Sequence, residues 1–207
     1  VVYSELVHEV QKERGATAGF IGANGNKFIE KLRSQRKNTD GKLQQKTHYL
    51  AKNEFSLDNI KQLNSNIVQM LQRLPSIRQQ VDSLSISLGD ALAFYTKLNS
   101  QLLSIAPINA DISSNAMLTK ETVAYYNFLQ GKERAGIERA VLSNTFTLDK
   151  FSTGMYAKFI SLVTQQDTYF DNFKQFSIPE NNQFFVNSLN HSSVKEVEKP
   201  RTSQLDT

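Results

Sequence analysis

The chain contains no cysteine. That absence removes disulfides, thiolate zinc sites and thiol catalysis together, and it is compatible with an oxidising compartment such as a periplasm. Proline and glycine are scarce, with four and nine in 207 residues. Strand-like alternation is also rare, and Gln, Asn, Leu, Ser and Lys fill the long stretches between breakers, which predicts helices. No apolar run approaches the roughly 18 residues needed to cross a bilayer. Nor is there a basic block: the formal charge is +4, and the 24 Lys and Arg are scattered among 20 Asp and Glu. Nucleic acid calls for a basic face or stripe, so no nucleic-acid partner is expected.

Chemistry-bearing motifs are missing as well. His8, His48 and His191 lack any HExxH-like spacing and read as surface histidines, so no metal site is expected. No glycine loop joins a strand to a helix, and no serine nucleophile elbow is present. Neither an enzyme nor a cofactor is expected.

What is present is helical periodicity. Tyr3, Leu6, Val10, Arg14, Thr17 or Ala18, and Ile21 form one stripe, and "GANGN" at residues 22–26 ends it with turn chemistry. A second helix runs from Lys27 to about Asn53, with a bend or interruption expected at Gly41. A third is marked by Leu57, Ile60, Ile67 and Leu74, with Ser56 as its cap and Pro75 as its end. From Ile77 through Val81, Leu84, Leu88, Ala91, Tyr95, Leu98 and Leu102 to Ile105 the spacing alternates four and three, which predicts one unbroken helix. A break follows around Pro107. Met117 to Leu148 reads as the next helix, and the stripe Phe151, Met155, Phe159, Leu162, Tyr169, Phe173, Phe176 as another that ends before Pro179. A shorter segment with Phe184, Phe185, Val186 and Leu189 follows. The fold class is all-α, an elongated up-down bundle of long antiparallel helices stacked in the manner of four-helix bundles. The chain opens in mid-pattern without an N-cap, which suggests excision from a longer protein.

The arginines divide by spacing. Arg33 has Glu30 three residues back, and Arg36, Arg78 and Arg134 have Asp40, Asp82 and Glu138 four ahead. Each pair can form within its own helix. Arg14 and Arg139 have no carboxylate three or four residues away, and both stand among small residues. Arg139 shares a stripe with Phe128, Ala135, Leu142 and Phe146, which directs it to a core. Buried arginines on neighbouring helices repel unless something anionic lies between them. A glutamate from a third helix satisfies that need, and so does a small planar oxyanion, which suits the guanidinium fork.

The words that carry these arginines, "LVHEVQKERGATAGFI" at 6–21 and "LQGKERAGIERAVLSNTF" at 129–146, resemble the nitrate- and nitrite-sensing domain of bacterial chemoreceptors, other membrane signalling proteins and some transcription antiterminators. The resemblance implies an all-helical sensor that binds nitrate or nitrite between helices. It places Arg14 of "QKERG" and Arg139 of "GIERA" on the ligand, with Arg134 of "GKERAG" as a competitor and Gly15, Thr17 and Ser143 within reach. It further implies a periplasmic domain of an inner-membrane methyl-accepting chemotaxis receptor, flanked by transmembrane helices and acting as a homodimer. Residues 1–190 are then the sensor domain, and 191–207 a polar tail or membrane-proximal linker. Two other readings stay open: a helical scaffold with both arginines in buried salt bridges, and a sensor of the same shape for a different anion.

Overall fold

The computed structural model of the chain describes residues 2–52, 58–105, 115–148, 150–151, 153–192, 194 and 196. Among them the regular structure is helical, without a strand: α1 (Val2–Gly22), α2 (Ile29–Lys52), α3 (Asp58–Asp82), α4 (Leu88–Leu103), α5 (Ala116–Leu148), α6 (Met155–Phe176) and α7 (Pro179–Leu189). The all-α expectation is met. The chain divides into two compact units, Val1–Asn109 with α1 to α4 and Ala110–Thr207 with α5 to α7. The expected cap at Ser56 and the expected break around Pro107 lie outside the described residues.

In the first unit α1 packs on α2 and α4, and α3 on α4. Cross-helix pairs give the directions. Glu9 meets Gln35, Glu5 meets Lys42 and Tyr3 meets Lys46, so α1 and α2 run antiparallel. Arg36 meets Asp82 and Asp40 meets Arg78, so α2 and α3 do too. The core between these helices is apolar, with Leu6, Val10, Ile67, Leu74, Val81, Leu98 and Leu102 almost completely buried.

The predicted turn after α1 is present: Asn24 and Gly25 take positive φ (47° and 76°), and the Gly25 amide donates to the Phe20 carbonyl at 2.9 Å. Gly41 does not interrupt α2, which is continuous across it. Two other expectations fail together. Proline lacks the amide hydrogen that continues a helix, yet α3 passes through Pro75. Leu74 on one side and Ile77 and Val81 on the other are buried, so core packing on both flanks offsets the missing hydrogen bond. The helix stops later, at 83–87, where Leu84 turns left-handed (φ 53°) and the Ser85 amide reaches back to the Gln80 carbonyl at 2.9 Å. Ser87 then caps α4, its hydroxyl accepting from the Asp90 amide at 3.1 Å and donating to the Asp90 carboxylate at 2.6 Å. The predicted long helix from Ile77 to Ile105 is therefore two helices. Its stripe survives because Ile77 and Val81 on α3 and Ala91, Tyr95, Leu98 and Leu102 on α4 face one core.

In the second unit α5 and α6 run antiparallel, as the pairs Gly131 with Phe170 and Glu138 with Gln166 show. At one end Val141, Leu142, Phe159 and Leu162 form a core; at the other Ala124, Phe173 and Phe185 do, surrounded by Phe128, Phe170 and Phe176. The ring centroids of Phe173 and Phe170 lie 5.1 Å and 5.2 Å from that of Phe185, which ties α7 to α6. The N-terminus of α7 is held by α5: Glu121 accepts from the Ile178 amide at 2.8 Å and the Asn181 carboxamide at 3.1 Å, an anion placed where a helix dipole favours one.

Removal of the Ser87 hydroxyl (Ser87→Ala) is expected to cost about 1 kcal/mol in urea denaturation. Gly131→Ala is expected to cost about 1–3 kcal/mol by overpacking, because an added Cβ lies 2.5 Å from the Phe170 ring.

Candidate functional site

The buried face of α1 is unusually polar. Besides Leu6, Val7, Val10, Ala16 and Phe20, it carries Glu9, Gln11, Glu13, Arg14 and Thr17. Glu13 is 0% exposed. An isolated carboxylate at such a position is strongly disfavoured, so it requires donors. It has three: Arg78 of α3 binds both oxygens, Nε to Oε1 and Nη2 to Oε2, each at 2.8 Å, and the Tyr95 hydroxyl of α4 donates to Oε1 at 2.9 Å. Arg78 also reaches Asp40 of α2 at 2.7 Å. One carboxylate and one guanidinium thus tie together all four helices of the unit.

Electrostatics follow the geometry. Burial works against the charge on Arg78, but Glu13 and Asp40 outweigh it and hold the guanidinium pKa above its ordinary value. Burial, assisted by the Glu13 charge, pushes the Tyr95 phenol up as well, so it stays a donor. Beside this knot, Arg36 of α2 binds Asp82 of α3 at 2.8 Å and 2.9 Å. Spacing pairs Arg36 with Asp40 and Arg78 with Asp82, each within a helix; the structure exchanges the acids between helices. Only a folded bundle brings those groups together, so the helical register of a single segment cannot reveal the exchange. Arg33 with Glu30, exposed on α2, follows the spacing at 2.6 Å.

Arg14 is buried, as its stripe predicts, at 4% exposure. Its Nη1 donates to the Thr96 hydroxyl of α4 at 2.9 Å. Thr17, one turn on, is fully buried. Its hydroxyl lies within the electrostatic reach of Tyr95 without meeting hydrogen-bond geometry there. Gly15 faces solvent. The smallness of Gly19 serves the fold: a Cβ there would stand 3.0 Å from the Phe28 ring, which folds back from the turn onto α1.

Arg134, Arg139 and Ser143 belong to α5 in the second unit. Arg134 is half-buried. It donates to Gln165 at 3.1 Å and to Gln130, and its guanidinium lies 4.8 Å from the Tyr169 ring centroid, close enough for a cation–π contact. Arg139 is exposed, contrary to the stripe that directs it to a core, and so are Ser143 and Phe146. The buried side of α5 runs through Ala124, Asn127, Gly131, Glu138, Val141, Leu142 and Thr145. The residue before Arg139 holds the inward position, and Glu138 there accepts from Gln166. The structure therefore groups Arg14 with Thr17 on α1, and places Arg134, Arg139 and Ser143 along one helix of the other unit.

Glu13 and Thr96 carry no expectation from the sequence, while Asp40 enters it only as the acid of Arg36 and Tyr95 only as a member of an apolar stripe. A signal for Glu13 existed, since Leu6, Val10, Glu13, Thr17 and Phe20 form a second stripe at spacings of four and three.

Residues 5–206 match the sequence model of the family described as nitrate and nitrite sensing. The chain belongs to that family. Among its relatives is the nitrate regulatory protein of Klebsiella oxytoca, 27% identical over 187 residues, which are 88% of this chain and 46% of the relative. The solved structure of the NasR transcription antiterminator aligns with a TM-score of 0.91 at 26% identity, over 97% of this chain and 54% of that one. The chain thus spans about half the length of the relatives it matches.

These relatives correct several expectations. One is a regulatory protein and the other a transcription antiterminator, so a periplasmic domain of a methyl-accepting chemotaxis receptor in the inner membrane is not the reading they support. Among the described residues no helix is long and apolar enough to cross a membrane, and a regulatory protein and a transcription antiterminator do not support the expected flanking transmembrane helices. The exclusion of nucleic acid is also withdrawn, because an antiterminator acts on transcription.

Breaking the central pair is the direct test of the polar knot. Glu13→Gln is expected to cost about 3 kcal/mol in urea denaturation, because it leaves Arg78 buried with a weaker partner. The double change Glu13→Leu with Arg78→Met is expected to be less destabilising than Glu13→Leu alone, since no buried charge is then orphaned.

Proposed function

We propose that this chain is the nitrate- and nitrite-binding part of a regulator of the kind its relatives represent, acting by binding and not by catalysis, with its output in transcription. Residues 1–190 are assigned to the sensor. The observation that carries the reading is the burial of the Arg14 guanidinium within the family's first motif. A desolvated guanidinium is a strong donor for a planar oxyanion and keeps its charge. Thr17 on the same face supplies a hydroxyl, and Gly15 leaves the backbone uncovered. Arg139 is assigned a ligand role from the second motif, with Ser143 one turn away and Arg134 as the alternative; the involvement of Arg134 in Gln130, Gln165 and Tyr169 favours Arg139.

Signal transfer follows from position. Arg14 is the neighbour of Glu13, whose carboxylate holds α3 and α4, so an anion that draws Arg14 changes the balance of charge beside the residue that ties the helices together. A ligand shifts a conformational equilibrium only by its difference in affinity for the two states, so the liganded state must be the more stable.

Titration calorimetry and thermal melts test this. At a nitrate or nitrite concentration about 100 times Kd, stabilisation is expected to be ~2.7 kcal/mol. Arg14→Ala and Arg139→Ala, made singly, are expected to abolish the heat while leaving helicity intact, and Arg14→Lys to weaken binding without unfolding. Silence of the parent chain toward both anions at millimolar concentration would sink the proposal. Unfolding by Arg14→Ala, with full binding retained by Arg14→Lys, would assign Arg14 a structural role.

A further inference from the structure

Between α2 and α3 of the first unit lies a cleft of about 280 Å³, lined by Leu43, Lys46 and Thr47 of α2 and by Val68, Leu71 and Gln72 of α3. Lys46 is the unusual member. It is 2% exposed, although its long stem would allow the ammonium to reach solvent elsewhere. Among the described residues no carboxylate lies within ion-pair distance of it. The acids nearest in register are engaged: Glu5 with Lys42, Glu9 with Lys12 and Gln35, Asp40 with Arg78. On one side the ammonium sits over the Tyr3 ring, 5.6 Å from its centroid, while the Tyr3 hydroxyl is committed to Asn64 at 3.3 Å. Burial holds the lysine pKa below its ordinary value, with no neighbouring charge to offset it.

A buried ammonium without an anion is costly, and chains rarely keep one without a use for it. The cleft it borders is too small for a large cofactor and walled by Leu43, Val68 and Leu71, which give no hydrogen bonds to a hydrated inorganic ion. Lysine is a point charge and lacks the planar fork that suits nitrate. The Thr47 hydroxyl is spent on the Leu43 carbonyl at 3.0 Å, which leaves the Gln72 carboxamide as the second donor of the lining.

We propose that this cleft is a second ligand site, separate from the arginine chemistry, for a short-chain monocarboxylate. Its carboxylate takes the Lys46 ammonium and the Gln72 amide, and its alkyl chain lies on Leu43, Val68 and Leu71. Such an occupant satisfies the charge and the apolar walls at once.

Titration of the intact chain with sodium hexanoate, followed by calorimetry and by line broadening of the ligand's proton resonances, tests the site, with sodium chloride at equal ionic strength as reference. Lys46→Met keeps length and removes charge; it is expected to weaken hexanoate binding at least ~10-fold. Val68→Phe fills the cleft from its partly exposed wall while keeping the ammonium, and is expected to weaken binding similarly. Arg14→Ala is expected to bind hexanoate normally, so this site and the nitrate site fail independently. The proposal is overturned by absence of hexanoate binding at tens of millimolar, by equal displacement with nitrate or chloride, or by binding that Val68→Phe leaves unchanged. If Lys46→Met does not fold, Val68→Phe alone decides.

Discussion

The Glu13 carboxylate is the point on which the first unit depends. A fully buried negative charge is tolerated only where donors surround it, and the donors come from two other helices. Arg78 supplies two parallel hydrogen bonds and Tyr95 a third, while Arg78 in turn recruits Asp40. Apolar side chains in a helical bundle can slide past one another with little penalty, whereas a bidentate pair fixes the positions of its partners along the axis. The aliphatic core of this unit supplies the driving force for collapse. The polar knot sets which collapsed arrangement is reached.

How much of this can be read from the residues depends on the range over which each interaction acts. The helices were legible because their spacing repeats locally, and so were the turn at Asn24 and Gly25 and the exposed pair of Arg33 with Glu30. Pro75 was misjudged because the deciding term is not local, buried neighbours carrying α3 past the proline, and the break near Leu84 because a left-handed leucine ends α3 and Ser87 caps the start of α4 within an uninterrupted apolar stripe. An apolar heptad pattern cannot distinguish one helix from two that present the same stripe to one core. The site was partly legible. Arg14 stood out by lacking an acid three or four residues away and is buried as expected. Arg139 stood out in the same way, but the inward face of α5 passes through Glu138 beside it.

The family and its relatives separate what a domain senses from what it controls. The two motif words lie within the residues that match the family, and they say nothing about the half of each relative that this chain does not cover. A helical sensor can be joined to many outputs because its ligand chemistry is confined to a few side chains on rigid elements. Reading a receptor type from the sensing words alone attached one output where the relatives have another.

The exchange of acids between Arg36 and Arg78 has a further meaning for the seam between α2 and α3. Each arginine that crosses the seam has a second acid one helical turn away on its own segment. If the seam parts, neither cation is stranded, because Arg36 can fall back on Asp40 and Arg78 on Asp82 within a single turn. The electrostatic work of separating these helices is correspondingly small, and resistance to separation falls to the aliphatic contacts and to Glu13. The seam is built like a clasp whose two halves each close on themselves when undone.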